Sequence, residues 1–236
     1  AARGLGRGSH VAVLLDNQLH YLEACWAAQR SGMYLTPINW HLGGDEAGYI
    51  LADCEATALV TTARLGPLVE RLGSSVGAVQ VRLVLDGAIA GFEDYEAAIA
   101  SYEDGDRVGE TEGAYMFYSS GTTGRPKGIQ PPLGYVPFGT GGTLDALVRA
   151  MYGFRPAMTY LCPAPLYHAA PIGWSMAAQR AGGTVVVLDK FEPEAALAAI
   201  ERYRVTHVQF VPTHFVRMLK LEPAVRDAYD LSSLEM

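Results

Sequence analysis

Val11-Ala-Val-Leu-Leu-Asp-Asn-Gln-Leu-His-Tyr-Leu-Glu-Ala-Cys-Trp-Ala-Ala-Gln-Arg-Ser-Gly-Met-Tyr-Leu-Thr-Pro-Ile38 holds a strand, a helix and a second strand in one short stretch. Val11–Leu15 is an unbroken apolar run of strand length. Asp16 or Asn17 is placed to cap the helix that follows, Leu19, Leu22 and Trp26 form its expected stripe, and Gly32 is its stop. Met33 to Ile38 is the next strand. An apolar strand followed by a crossover helix and another apolar strand is the unit of a parallel sheet covered on both faces.

The same rhythm continues in both directions along the chain. Strands are expected at 58–61, 81–85, 114–118, 159–162, 184–188 and 206–211. Helices are expected at 45–53, 64–72, 93–102, 143–152, 172–181, 193–203 and 212–221. The fold class is therefore α/β, with largely parallel sheets flanked by helices. The charged, apolar-poor run at 103–113 marks a soft boundary. It divides the chain into a first α/β subdomain at 1–102, a linker loop, and a second α/β subdomain at 114–236, although a solvated surface loop is an equally good reading of that run.

Composition narrows the function. The 236 residues carry a net charge of −7 and are 50% hydrophobic, which is ample for a core. An acidic balance argues against a general nucleic-acid or membrane-surface binder. Three widely spaced cysteines and no CxxC argue against a disulfide framework or a thiolate zinc site, and favour a reducing cytoplasm. No apolar run is long enough for a membrane span. The chain opens without Met and without the apolar core of a signal peptide, so it is expected to begin inside a longer polypeptide.

The chemistry is concentrated in Tyr118-Ser-Ser-Gly-Thr-Thr-Gly-Arg-Pro-Lys-Gly128. Glycines let the backbone approach an anion and offer N–H groups to it, hydroxyls donate to phosphate oxygens, Lys127 brings a point charge and Arg125 a fork. This is not a Walker loop, because Pro126 stands where GxxxxGK[ST] needs its second glycine. Pro126 also bars the loop from running straight into a helix. Phosphate must then be held by hydroxyls and amides without a helix dipole directly behind them.

This stretch closely resembles the AMP-binding signature of the adenylate-forming superfamily, which includes acyl-CoA synthetases, aryl-CoA ligases, luciferases and peptide-synthetase adenylation domains. Pro165-Leu-Tyr-His-Ala-Ala-Pro-Ile-Gly-Trp174, Phe210-Val-Pro-Thr-His-Phe-Val-Arg-Met-Leu219 and the segment from Ala27 to Asn39 resemble further parts of it. The resemblance implies the large N-terminal domain of such an enzyme and a two-step reaction. A carboxylate attacks the α-phosphate of Mg-ATP, and coenzyme A then displaces AMP from the acyl-adenylate. It assigns the β- and γ-phosphates to Ser119, Ser120, Gly121, Thr122, Thr123, Gly124 and Lys127. Thr122, Lys127 and His168 become the expected catalytic residues. Magnesium is expected on the phosphates, with no protein metal ligand in this chain.

By the same resemblance, His168, Ala169, Gly173 and Trp174 border the acyl pocket, with Ala170 and Pro171 beside them. His168 stands where amino-acid-activating relatives carry an Asp for the substrate ammonium, which favours an acid without an α-amino group. An acyl-CoA synthetase acting on a fatty acid is the leading reading. An aryl-CoA ligase, a luciferase-like enzyme and a non-catalytic nucleotide-binding module are the alternatives. Trp174 fits core packing equally well, His214 reads as a packing or pocket-wall residue, and Phe117 and Tyr118 read as core. The family's metal-binding Glu, ribose-binding Asp and C-terminal catalytic Lys find no match in this chain. The 236 residues alone are therefore expected to lack thioester-forming activity.

Overall fold

The computed structural model describes residues 3–100, 102, 105, 109–119 and 125–236. The chain forms two compact units: residues 1–15 with 23–140, and residues 16–22 with 141–236. The boundary expected at 103–113 thus falls inside the first unit.

In the first unit a six-stranded sheet is built from β1 (His10–Leu14), β2 (Tyr34–Pro37), β3 (Ala58–Thr62), β4 (Val81–Leu85), β5 (Glu93–Asp94) and β6 (Ala114–Tyr115). Their spatial order is β5-β4-β3-β1-β2-β6, and every pairing is parallel. Every residue of β1, β2 and β3 is buried, which is why these strands read as continuous apolar runs. The helix Leu19–Arg30 ends before Gly32, which adopts φ +66° as its role of helix stop requires. Its buried residues are Tyr21, Leu22, Ala24, Cys25, Ala28 and Gln29, whereas Leu19 is 69% exposed and Trp26 half-buried. The expected stripe was therefore rotated, because small residues at 24, 25 and 28 form the side that packs closely. One core cluster gathers Leu14, Ile38, Ile50, Leu51, Leu59 and Leu68, with helix Gly44–Asp53 supplying two of them.

The strand expected at 114–118 is split. Met116 still donates its N–H to Leu35 O at 2.9 Å, continuing the pairing of β6. Phe117–Ser119 then forms β7, which pairs antiparallel with β8 (Lys127–Ile129). β8 lies where the sequence reading expects no strand. The Pro- and Gly-rich stretch after it is nonetheless held, because Tyr34 Oη donates to Pro131 O at 2.7 Å. Glu112 also donates its N–H to Val136 O, and Phe138 its N–H to Glu110 O.

The second unit carries a parallel three-stranded sheet of β9 (Thr159–Cys162), β10 (Thr184–Val187) and β11 (His207–Val208), in the order β10-β9-β11. Leu161, Ala199, Ile200 and Val205 form its apolar centre, with helix Pro193–Tyr203 laid on the sheet. Helices Thr143–Tyr152, Ala169–Arg180 and Pro212–Leu219 complete the unit's expected rhythm. The three cysteines are buried free thiols, and no helix among the described residues is long and apolar enough to cross a membrane.

Candidate functional site

The phosphate-type stretch is the connection of a β-hairpin. Ser119 stands opposite Lys127 across the stem, Tyr118 opposite Gly128 and Phe117 opposite Ile129. The stem follows the carboxyl end of β6, a parallel strand that ends at Tyr115. Strand rather than helix follows Pro126. Ser119, Arg125 and Lys127 are exposed at the stem. Ser120, Gly121, Thr122, Thr123 and Gly124 lie outside the described residues.

The stem is anchored by contacts that the sequence reading missed. Tyr118 Oη donates to Asp53 Oδ2 at 2.6 Å, and Tyr49 Oη donates to Asp53 Oδ1 at 3.2 Å. Asp53 is the last residue of helix Gly44–Asp53. The Arg125 guanidinium lies over the Tyr49 ring, 5.1 Å from its centroid. Both ends of the loop are therefore tied to one helix end. Burial and the Asp53 hydrogen bond together push the Tyr118 hydroxyl far above the usual phenol range. Tyr118 is consequently more than core: it packs against the first cluster and fixes the hairpin.

Gly128 is required by the same arrangement. A Cβ there would lie 2.9 Å from Tyr118 Cζ and 3.0 Å from its Oη, with Met116 Cε also in contact. Only glycine lets β8 pass this close to a ring that Asp53 holds in place.

In the second unit His168 is the N-cap of helix Ala169–Arg180. Its backbone is extended, and its carbonyl accepts from Ile172 N at 3.2 Å. Its ring makes no capping hydrogen bond and packs beside Tyr167, with centroids 4.5 Å apart. Ala169 and Ala170 are exposed next to it, while Pro171 and Gly173 are buried. A Cβ at Gly173 would come within 3.0 Å of Leu144 Cδ2. Trp174 belongs to an aromatic cluster, 4.8 Å from Tyr152, 5.4 Å from Phe154 and 6.4 Å from Tyr160 between centroids. His214 is buried as a packing residue, stacked on Phe191 at 4.0 Å, with its Nδ1 accepting from Val211 N at 3.4 Å.

Burial strips water from the cationic form of three imidazoles. It lowers the pKa of the buried His10 and of the buried His214, at which Arg217 adds to the effect, and the same direction holds for His168, although that residue is exposed and contributes less to stability. The unfolded chain takes up these protons first, near pH 6.5, so stability is fuller above that pH and falls as pH drops through it. Glu93 and Glu235 are held below the carboxylate range by Arg3 and Arg155, so their losses come at lower pH. The melting temperature is expected to fall between pH 7.5 and 5.5, and His10→Gln is expected to flatten that slope. A flat or rising profile in the parent protein contradicts this.

A family profile described as AMP-binding enzyme matches residues 1–236. The chain belongs to the AMP-binding enzyme family. It is 32% identical over 234 residues to a feruloyl-CoA synthase of Amycolatopsis sp, covering 99% of this chain and 44% of that protein. It is 30% identical over 240 residues to an indoleacetate–CoA ligase of Aromatoleum aromaticum, covering 100% of this chain and 46% of that protein. The amide bond synthetase McbA from Marinactinospora thermotolerans superposes with a TM-score of 0.81 at 29% identity, over 99% of this chain and 45% of McbA. The chain therefore spans a little under half the length of these relatives. Its α/β fold, with mostly parallel sheets flanked by helices, is the N-terminal fold of adenylate-forming enzymes.

Proposed function

We propose that the full-length protein is an acid–CoA ligase that activates a carboxylic acid through an acyl-adenylate. The carrying observation is the hairpin in which Ser119 faces Lys127 at the mouth of a hydroxyl- and glycine-rich loop, both ends tied to helix Gly44–Asp53. In this reading Ser119, Ser120, Gly121, Thr122, Thr123, Gly124 and Lys127 hold the polyphosphate of Mg-ATP. Their hydroxyls, amides and ammonium neutralise charge as pyrophosphate departs. A carboxylate oxygen of the acid bonds to the α-phosphorus while the bond to the pyrophosphate oxygen breaks. The sulfur of coenzyme A then attacks the acyl carbon, and AMP leaves with its oxygen. Among the described residues no three His, Cys, Asp or Glu side chains gather as a metal site. Magnesium enters as part of the nucleotide substrate.

His168 is the group that orients the acid. Its depressed pKa keeps the imidazole neutral at pH 7, so it offers a hydrogen bond rather than a full charge. Ala169, Gly173 and Trp174 border the acyl chain. With no carboxylate at position 168 to receive an ammonium, the substrate lacks an α-amino group. A fatty acid is the sequence-based reading. An aryl acid is the second, favoured by the substrates in the names of the two ligases at 30% and 32% identity. Three buried, unpaired thiols support a reducing cytoplasmic setting.

The test is pyrophosphate release and thioester formation by the full-length protein across short, medium, long and aromatic acids. Turnover with an apolar acid, dependent on both ATP and coenzyme A, supports the ligase reading. Nucleotide binding without turnover on any acid would leave a binding module instead.

A further inference from the structure

Asn17 lies outside every motif that carries the proposed chemistry, yet its side chain is among the most fully engaged polar groups of the second unit. Its Nδ2 donates to Leu188 O at 2.8 Å and to Ala164 O at 3.1 Å. Its Oδ1 accepts from Leu166 N at 2.8 Å. One N–H partner and two carbonyl partners fix which end of the amide is which, and three of its four hydrogen-bonding positions are filled. The carbonyls belong to chain just past the carboxyl ends of two adjacent parallel strands: Ala164 follows β9 and Leu188 follows β10. That end of a parallel sheet is where α/β folds place their ligands.

The segment that Asn17 grips leads directly to His168. Leu166, whose N–H it binds, is fully buried and sits inside a turn closed by His168 N donating to Pro165 O at 3.2 Å. His168 then caps the helix that carries Ala169, Gly173 and Trp174. The His168 ring has no capping bond of its own to orient it. Its position is inherited from the turn, and the turn is held from outside by Asn17. We infer that Asn17 is a positioning residue for the acid subsite, setting the place of His168 through the 164–168 turn. This rests on the proposed role of His168.

The experiment measures pyrophosphate release by the full-length protein with the best acid of the panel, reading KM for acid and KM for ATP separately. Asn17→Ala is expected to raise the acid KM about tenfold, the scale of a sub-ångström displacement of an orienting group, with the ATP KM within about twofold. Asn17→Asp keeps the acceptor for Leu166 N but sets a carboxylate against two carbonyls. It is expected to shift the acid KM in the same direction, and it serves should the alanine variant not fold. Thr61→Val is the stability control. It removes a buried hydrogen bond from Thr61 Oγ1 to Leu14 O at 2.9 Å in the first unit, and is expected to lower the melting temperature with the acid KM unchanged.

His168→Ala separates the two levels of the argument. If it raises the acid KM and the Asn17 variants do not, the positioning role is overturned while the subsite reading stands. If His168→Ala leaves the acid KM unchanged, the subsite reading itself falls. Equal changes in both KM values for the Asn17 variants, or an acid KM shift in Thr61→Val of the same size, would mark Asn17 as a structural staple only.

Discussion

Lys127→Ala in the full-length protein is expected to slow acyl-adenylate formation roughly ten- to hundredfold, with weaker ATP binding. The side chain stands at the loop end of β8, exposed and opposite Ser119. An ammonium there adds a charge-assisted bond to a phosphate oxygen, and losing a hydrogen bond to a charged group costs about 1.5–3 kcal/mol. The thioester step, by which point the pyrophosphate of ATP has already left, should change much less. Rapid-quench measurement of acyl-AMP separates the two steps. If both half-reactions run at the parental rate, Lys127 has no part in the mechanism.

The second large effect belongs to a residue with no functional group. Gly128→Val places a branched side chain against the Tyr118 ring, where a Cβ alone would already be 2.9 Å from Cζ. The ring is unable to retreat without giving up its 2.6 Å bond to Asp53. Overpacking of this kind costs about 1–3 kcal/mol in stability. The expected loss in adenylation is larger, on the order of a hundredfold, because the displaced element carries the proposed phosphate loop and misplacement by about an ångström is enough for that. Gly128→Ala should fall between the parent and the valine variant, since Met116 Cε can move while the tyrosine is tethered. A valine variant that adenylates at the parental rate would refute the close-approach account.

The alternation of strands and helices was legible because fully buried parallel strands advertise themselves as apolar runs. Val11–Leu15, Ala58–Thr61 and Thr184–Leu188 lie within a residue of β1, β3 and β10. The hairpin stem was not legible. Ala114–Tyr118 is one apolar run, and nothing in its pattern marks Met116 as the place where pairing passes from β2 to β8. Lys127-Gly-Ile129 is too short and too polar to read as a strand. The rotated face of helix Leu19–Arg30 has a different cause: hydropathy favours Leu19 and Trp26, whereas close packing favours Ala24, Cys25 and Ala28.

The site was legible to the extent that its chemistry sits in one contiguous stretch. Ser119 to Lys127 read as a candidate phosphate loop by residue type and spacing, whereas His168 is singled out only by the resemblance of 165–174 to a family motif. Asp53, Tyr49 and Asn17 do not, since each acts across long sequence separation on a partner that has its own apparent role. Tyr118 carries one signal, a tyrosine where a buried strand would accept phenylalanine, because a buried hydroxyl needs a partner.

The tie between Tyr118 and Asp53 bears on any attempt to transplant the proposed nucleotide loop into another scaffold. A graft of 118–128 alone would leave its mooring behind, 65 residues upstream in the chain. The portable module is the hairpin together with the tail of helix Gly44–Asp53, and a recipient lacking a carboxylate at that spot would receive the ribbon without its peg.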